Sequence, residues 1–83
     1  MKNYLATIDN EIKMAIQKHQ GETLSPGTAC AHPSDPTIYT LVEYDGDEAV
    51  LSYNGIIKRF PAKEIFDINI VKDTALKLHH KIH

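Results

Sequence analysis

A chain of 83 residues makes one domain, and folding at this size buries only about 60% of the surface that the unfolded chain exposes, so a deep cleft around a large cofactor does not fit within one copy. A single cysteine, Cys30, excludes an internal disulfide and a multi-cysteine zinc site. The net charge of −2 is small but uneven: residues 21–55 hold six acids and no Lys or Arg, whereas residues 56–83 hold six bases against three acids, a pattern suited to charge exchange between neighbouring strands.

The first residues, "MKNYLATIDNEIK", are charged where a signal peptide needs an unbroken apolar stretch, and no run approaches the ~20 apolar residues that span a bilayer. The expectation is a cytoplasmic protein with no membrane partner. Leu5, Ile8, Ile12 and Ile16 recur every three or four residues, flanked by Ala15 and His19, which predicts a helix over 3–20 with one apolar stripe. Gly21 supplies the stop, because it tolerates the left-handed conformation at a helix end. "SPG" at Ser25–Gly27 reads as a turn, and a short strand follows from Thr28 to Ala31 with Cys30 facing inward. "HPSDP", His32–Pro36, reads as a loop, since Pro33 and Pro36 fix φ and remove donors.

A three-stranded meander comes next. "TIYTLVEY" is its first strand, Asp45-Gly46 its first hairpin signal and "EAVLSY" its second strand. Asn54-Gly55 is the stronger type I′ signal, leading into "IIKRF". Pro61 ends that strand, "PAKEI" can form one helical turn that returns Ile65 to the core, and "FDINI" adds a last short strand. Val71, Ala75, Leu78 and Ile82 recur at helical spacing, which predicts a C-terminal helix over 71–82.

Strand, proline-rich loop, meander, helical turn and short strand, over residues 24–68, together resemble the SH3-like small β-barrel superfamily. "PGTACAHPSDP" is similar to its first strand and long first loop, "VEYDGDEAVLSYNG" to its middle hairpin, and "KRFPAKEI" to its last long strand and helical turn. The resemblance implies a mainly β fold: a five-stranded barrel with an N-terminal and a C-terminal helix added, all within one domain, 1–83. The features are those that build barrels in general, so they imply no single activity.

Several chemistries can be weighed on the residues. Adaptor barrels that hold proline-rich peptides use a groove of aromatics that usually includes tryptophan, and this chain has none. A methyl-ammonium cage needs three or four converging aromatics; Tyr39, Tyr44, Tyr53 and Phe60 are read instead as core and rim. Lys58, Arg59 and Lys63 are the candidate basic surface for a nucleic acid, although consecutive strand residues face opposite ways. His79, His80 and His83 invite a metal reading, but a stable site wants a third ligand and supporting hydrogen bonds, so no metal and no cofactor are expected. Cys30 and His32 share a strand face with Asp35 following, a constellation better read as a small apolar thiol than as a nucleophile. "IKRF", Ile57–Phe60, stands where a plasmid-encoded dihydrofolate reductase of this barrel type has Val-Gln-Ile-Tyr, so that activity does not carry over.

The sequence therefore points away from an enzyme and towards a small interaction module that recognises a protein partner. The homodimer expectation rests on two amphipathic helices that need apolar cover. The binding residues expected are His32, Asp35, Tyr39 and Tyr53, on the "HPSDP" loop and the rim beside it, because binding residues concentrate on loops held by a rigid scaffold. The alternative is a nucleic-acid or ribosome-associated accessory protein acting through Lys58, Arg59 and Lys63.

Overall fold

Two turns in which glycine takes positive φ fold residues 35–61 into an antiparallel meander. The computed structural model describes the backbone of residues 2–82 and the side chains of residues 10–78. In chain order it contains α1 (Lys2–His19), β1 (Ala29–His32), β2 (Asp35–Asp45), β3 (Glu48–Tyr53), β4 (Ile56–Pro61), a 3-10 turn (Ala62–Glu64), β5 (Phe66–Asp67) and α2 (Ile68–Ile82). Asn54 and Gly55 both have positive φ, 49° and 79°, as a type I′ hairpin requires. In the β2–β3 hairpin the central residues are Gly46 and Asp47, one place later than the Asp45-Gly46 signal suggested, and only Gly46 has positive φ. That is the type II′ pattern.

The five strands form one antiparallel sheet in the order β4-β3-β2-β1-β5. The fold is thus mainly β with two flanking helices, as expected. The sheet is open between β4 and β5, so the expected closure into a barrel is not formed by a ladder among the described residues. It is nevertheless strongly curled. His32 on β1 stacks on Phe60 of β4 with ring centroids 4.8 Å apart, although β2 and β3 lie between them in the sheet. Two irregularities in β2 explain the curl. Leu41 pairs with Leu51 and Glu43 with Val50, which leaves Val42 as an extra residue. Between the pairs Cys30–Tyr39 and His32–Asp35, three residues of β2 oppose Ala31 alone. Extra residues of this kind bend the strand and increase its twist.

The curl encloses a core of Cys30, Tyr39, Leu41, Ala49, Leu51 and Ile65, with Leu24, Tyr44, Phe60 and Ala62 packed against it. On the opposite face of β1 and β5, Ala31 and Phe66 are also buried. The helices pack against each other and against the β1–β5 side of the sheet. Among the described side chains Ile12 and Ile16 of α1 are half-buried, whereas Met14 of α1 and Leu76 of α2 stay exposed. No helix among the described residues is long and apolar enough to cross a membrane.

The helix ends have local causes. Gly21 has φ +84°, its N–H donates to the Ile65 carbonyl at 3.0 Å, and a Cβ there would stand 3.0 Å from the Lys63 carbonyl oxygen and 3.2 Å from Lys63 Cα. Glycine is thus required twice, for conformation and for the close approach of the 3-10 turn. At the other end α2 begins at Ile68, earlier than the expected start at residue 71, and the expected strand in "FDINI" shrinks to two residues. Asp67 causes this: its Oδ1 accepts the Asn69 N–H at 2.9 Å and caps the helix.

Candidate functional site

The "HPSDP" segment is a hairpin rather than a loop. His32 pairs with Asp35 across a two-residue turn, Pro33-Ser34, and β2 runs straight through Pro36. The expectation that no strand passes here fails because Pro36 falls among the extra residues of the β2 bulge, where a missing N–H costs no ladder bond. Asp35 holds that bulge. Its Oδ1 accepts the Thr37 N–H at 2.9 Å and its Oδ2 accepts the Tyr39 hydroxyl at 2.6 Å. The Tyr39 hydroxyl, then the Thr37 N–H and the nearby charge of Lys58, hold the Asp35 carboxyl below its ordinary value, and the same hydrogen bond to Asp35 is the main reason the Tyr39 phenol is raised.

His32 ties the hairpin to the far side of the molecule. The Ser34 N–H donates to its Nδ1 at 3.0 Å and the Ser34 hydroxyl lies 2.7 Å from the same nitrogen. An Nδ1 that accepts leaves the ring proton on Nε2, which donates to Glu64 Oε1 at 2.7 Å. Both ring nitrogens are therefore engaged, and the face of the ring lies on Phe60. The aromatic contacts continue from Phe60 to Tyr39 at 5.8 Å and from Tyr39 to Tyr53 edge-on at 6.3 Å. The four residues expected to bind, His32, Asp35, Tyr39 and Tyr53, are thus linked through contacts, but Tyr39 is buried in the core, His32 and Asp35 are half-buried, and Tyr53 is exposed.

On the other side of the hairpin, between it and α1, runs a groove of about 600 Å³. Ile16 of α1, Ala31 of β1, Phe66 of β5 and Ile68 of α2 supply apolar walls, with Pro33 and Pro36 beside them. Lys13 and Gln17 of α1 add polar groups on the helix side, and His32 and Asp35 also contribute to the lining. The groove exists because Gly21 turns the chain sharply after α1 and Gln20 anchors that corner, its side-chain N–H donating to the Glu64 carbonyl at 2.8 Å. Of the four residues expected to bind, His32 and Asp35 border this groove and Tyr39 and Tyr53 do not. The helix and β5 walls were missed, because no local pattern in the sequence joins Ile16 to Phe66. Glu64, the partner of His32, lies 32 residues away and was missed for the same reason.

The other candidates fall differently. Lys58 and Arg59 point to opposite faces of β4, and Arg59 is held by Asp45 at 2.8 Å and Glu48 at 3.6 Å. Lys63 sits on the 3-10 turn against Gly21. These three do not make one surface. Cys30 is 0% exposed, and burial, with the charge of Asp67 adding to it, pushes its thiol up to about 11. With both His32 nitrogens facing Glu64 and Ser34, the Cys30–His32–Asp35 constellation is not assembled. The side chains of His79, His80 and His83 lie outside the described residues. No protein-family model matches the chain, no curated protein matches it, and no solved structure matches its fold.

Proposed function

We propose that the protein is a non-catalytic interaction module built on an SH3-like sheet, and that the groove between α1 and the β1–β2 hairpin receives a short apolar segment of a protein partner. The groove carries this reading. Its volume lies within the ~300–1,000 Å³ range of ligand sites. Its apolar walls come from four elements that pack against one another, and its prolines lose little entropy on contact. Lys13 on the helix wall favours an occupant with an acid beside its apolar anchor. The strand order β5-β1-β2-β3-β4 and the strong curl support the SH3-like reading of the sheet.

A library of displayed heptapeptides panned against the protein tests the proposal. Enrichment of sequences with an apolar residue next to Asp or Glu, which shift the amide signals of Ala31, Phe66 and Ile68 and lose affinity in Lys13→Glu, is the expected result. No enrichment over an unrelated protein, or enriched peptides that shift only other parts of the molecule, would overturn it.

A further inference from the structure

One edge of the sheet is covered and the other is not. β5 is two residues long and has α1 and α2 packed against it. β4 is six residues long, pairs only with β3, and its backbone makes no other hydrogen bond among the described residues. The hairpin geometry fixes which of its backbone groups are left over. Tyr53 and Ile56 flank a two-residue turn, so they exchange both hydrogen bonds, and the alternation then points Ile56, Lys58 and Phe60 at β3. Ile57 and Arg59 present both N–H and C=O outwards, and Pro61, with no N–H, ends the row. Around this edge Ile56 is 57% and Ile57 56% exposed, one on each face.

We propose that β4 accepts an extended segment of another polypeptide as a sixth, antiparallel strand. Unpaired donors and acceptors at this spacing are complementary to an extended strand. The side chains specify it further. A residue opposite Ile57 on the outer face is apolar, and one opposite Lys58 is acidic, because Lys58 is the base it would face, Arg59 being already held by Asp45 and Glu48. The same charges disfavour a second copy: the antiparallel register that uses both Ile57 and Arg59 sets Lys58 directly against Lys58 of the partner subunit. No residue of β4 lines the groove beside α1, so this surface is independent of that one.

The test uses the whole, isotope-labelled protein and the capped hexapeptide Thr-Thr-Glu-Val-Val-Thr, whose third residue faces Lys58 and whose fourth faces Ile57. In the free protein the amides of Ile57 and Arg59 exchange quickly and those of Lys58 and Phe60 slowly. Peptide at millimolar concentration slows exchange at Ile57 and Arg59 on the order of tenfold. The same peptide N-methylated at its fourth residue does not bind, a control that leaves the protein's own fold untouched. Lys58→Glu weakens the peptide roughly twofold to fivefold and reverses the preference towards a Lys-containing analogue. The proposal is overturned if the peptide has no effect, if it shifts Ala31, Phe66 and Ile68 instead, or if Ile57 and Arg59 are already protected in a free protein that sediments as two chains.

Discussion

The meander β2–β3–β4 and the hairpin β1–β2 are both antiparallel ladders, but different forces hold them. In the meander the turns are encoded by backbone conformation: Gly46, Asn54 and Gly55 take positive φ and the strands follow. In the β1–β2 hairpin no residue of the turn has positive φ. Its shape comes from side chains, with Asp35 bonding Thr37 and Tyr39, and His32 bonding Ser34 and Glu64. A turn written into φ is independent of the rest of the molecule. A turn held by side chains depends on what those side chains reach, and here they reach the 3-10 turn and β4. The hairpin that borders the groove is thus the part of the sheet most sensitive to distant change.

Substitutions can break this comparison or sharpen it. The largest effect belongs to Leu51→Ala, because Leu51 is fully buried in the core that both regions share. It should cost about 2–5 kcal/mol in denaturant unfolding with one transition for all probes. Separate transitions for the meander and the hairpin would show that the core does not join them. Next comes Gly21→Ala, which forces alanine to φ +84° and sets its Cβ against the Lys63 backbone. A loss of about 1–3 kcal/mol is expected, with amide shifts at Lys63–Ile65 and along the α1 side of the groove. His32→Ala is smaller, about 1–2 kcal/mol for the Glu64 bond and the ring stacking on Phe60. It sharpens the contrast most: amide exchange should rise at Ser34 and Thr37 and stay unchanged at Gly55 and Ile56. Equal increases at both hairpins would mean that the two turns are not held differently.

The same contrast explains what could be read from the chain. Asn54-Gly55 and the short apolar run in "EAVLSY" between two turn signals are local, so β3 and β4 emerge at their true positions. The stripe Leu5, Ile8, Ile12 and Ile16 predicts α1 for the same reason. Pro36 misled, because a proline excludes a ladder position but not a bulge, and the bulge depends on the register with β1. The start of α2 was misplaced because apolar spacing gives a helix's face, while Asp67 gives its end. Of the candidate site, the hairpin residues were legible as a proline-rich segment between strands. The groove was not, since Lys13 and Ile16 meet Phe66 and Ile68 only once the whole chain has folded.

The smallest effect, and the most specific to the hairpin, is its response to acid. The Tyr39 hydroxyl and the Thr37 N–H favour the charged form of Asp35, so its carboxyl titrates in the folded protein below the ordinary value of about 3.9. In the interval between the folded and unfolded values the unfolded chain binds more protons than the folded one, so stability rises with pH there. The contribution is fully present above the unfolded value and is lost as pH falls through the folded one. The meander turns are set by backbone conformation at Gly46, Asn54 and Gly55. Comparing the protein with Asp35→Asn by denaturant unfolding from pH 6 downwards should therefore show a stability difference that is constant above about pH 5 and changes below about pH 4. Tyr39→Phe removes the main donor, so the Asp35 carboxyl, followed by its carbon-13 shift, should then titrate nearer the ordinary value. An Asp35 signal that titrates identically with and without the Tyr39 hydroxyl would show that the bulge is held by the backbone after all, and the difference between the two hairpins would disappear.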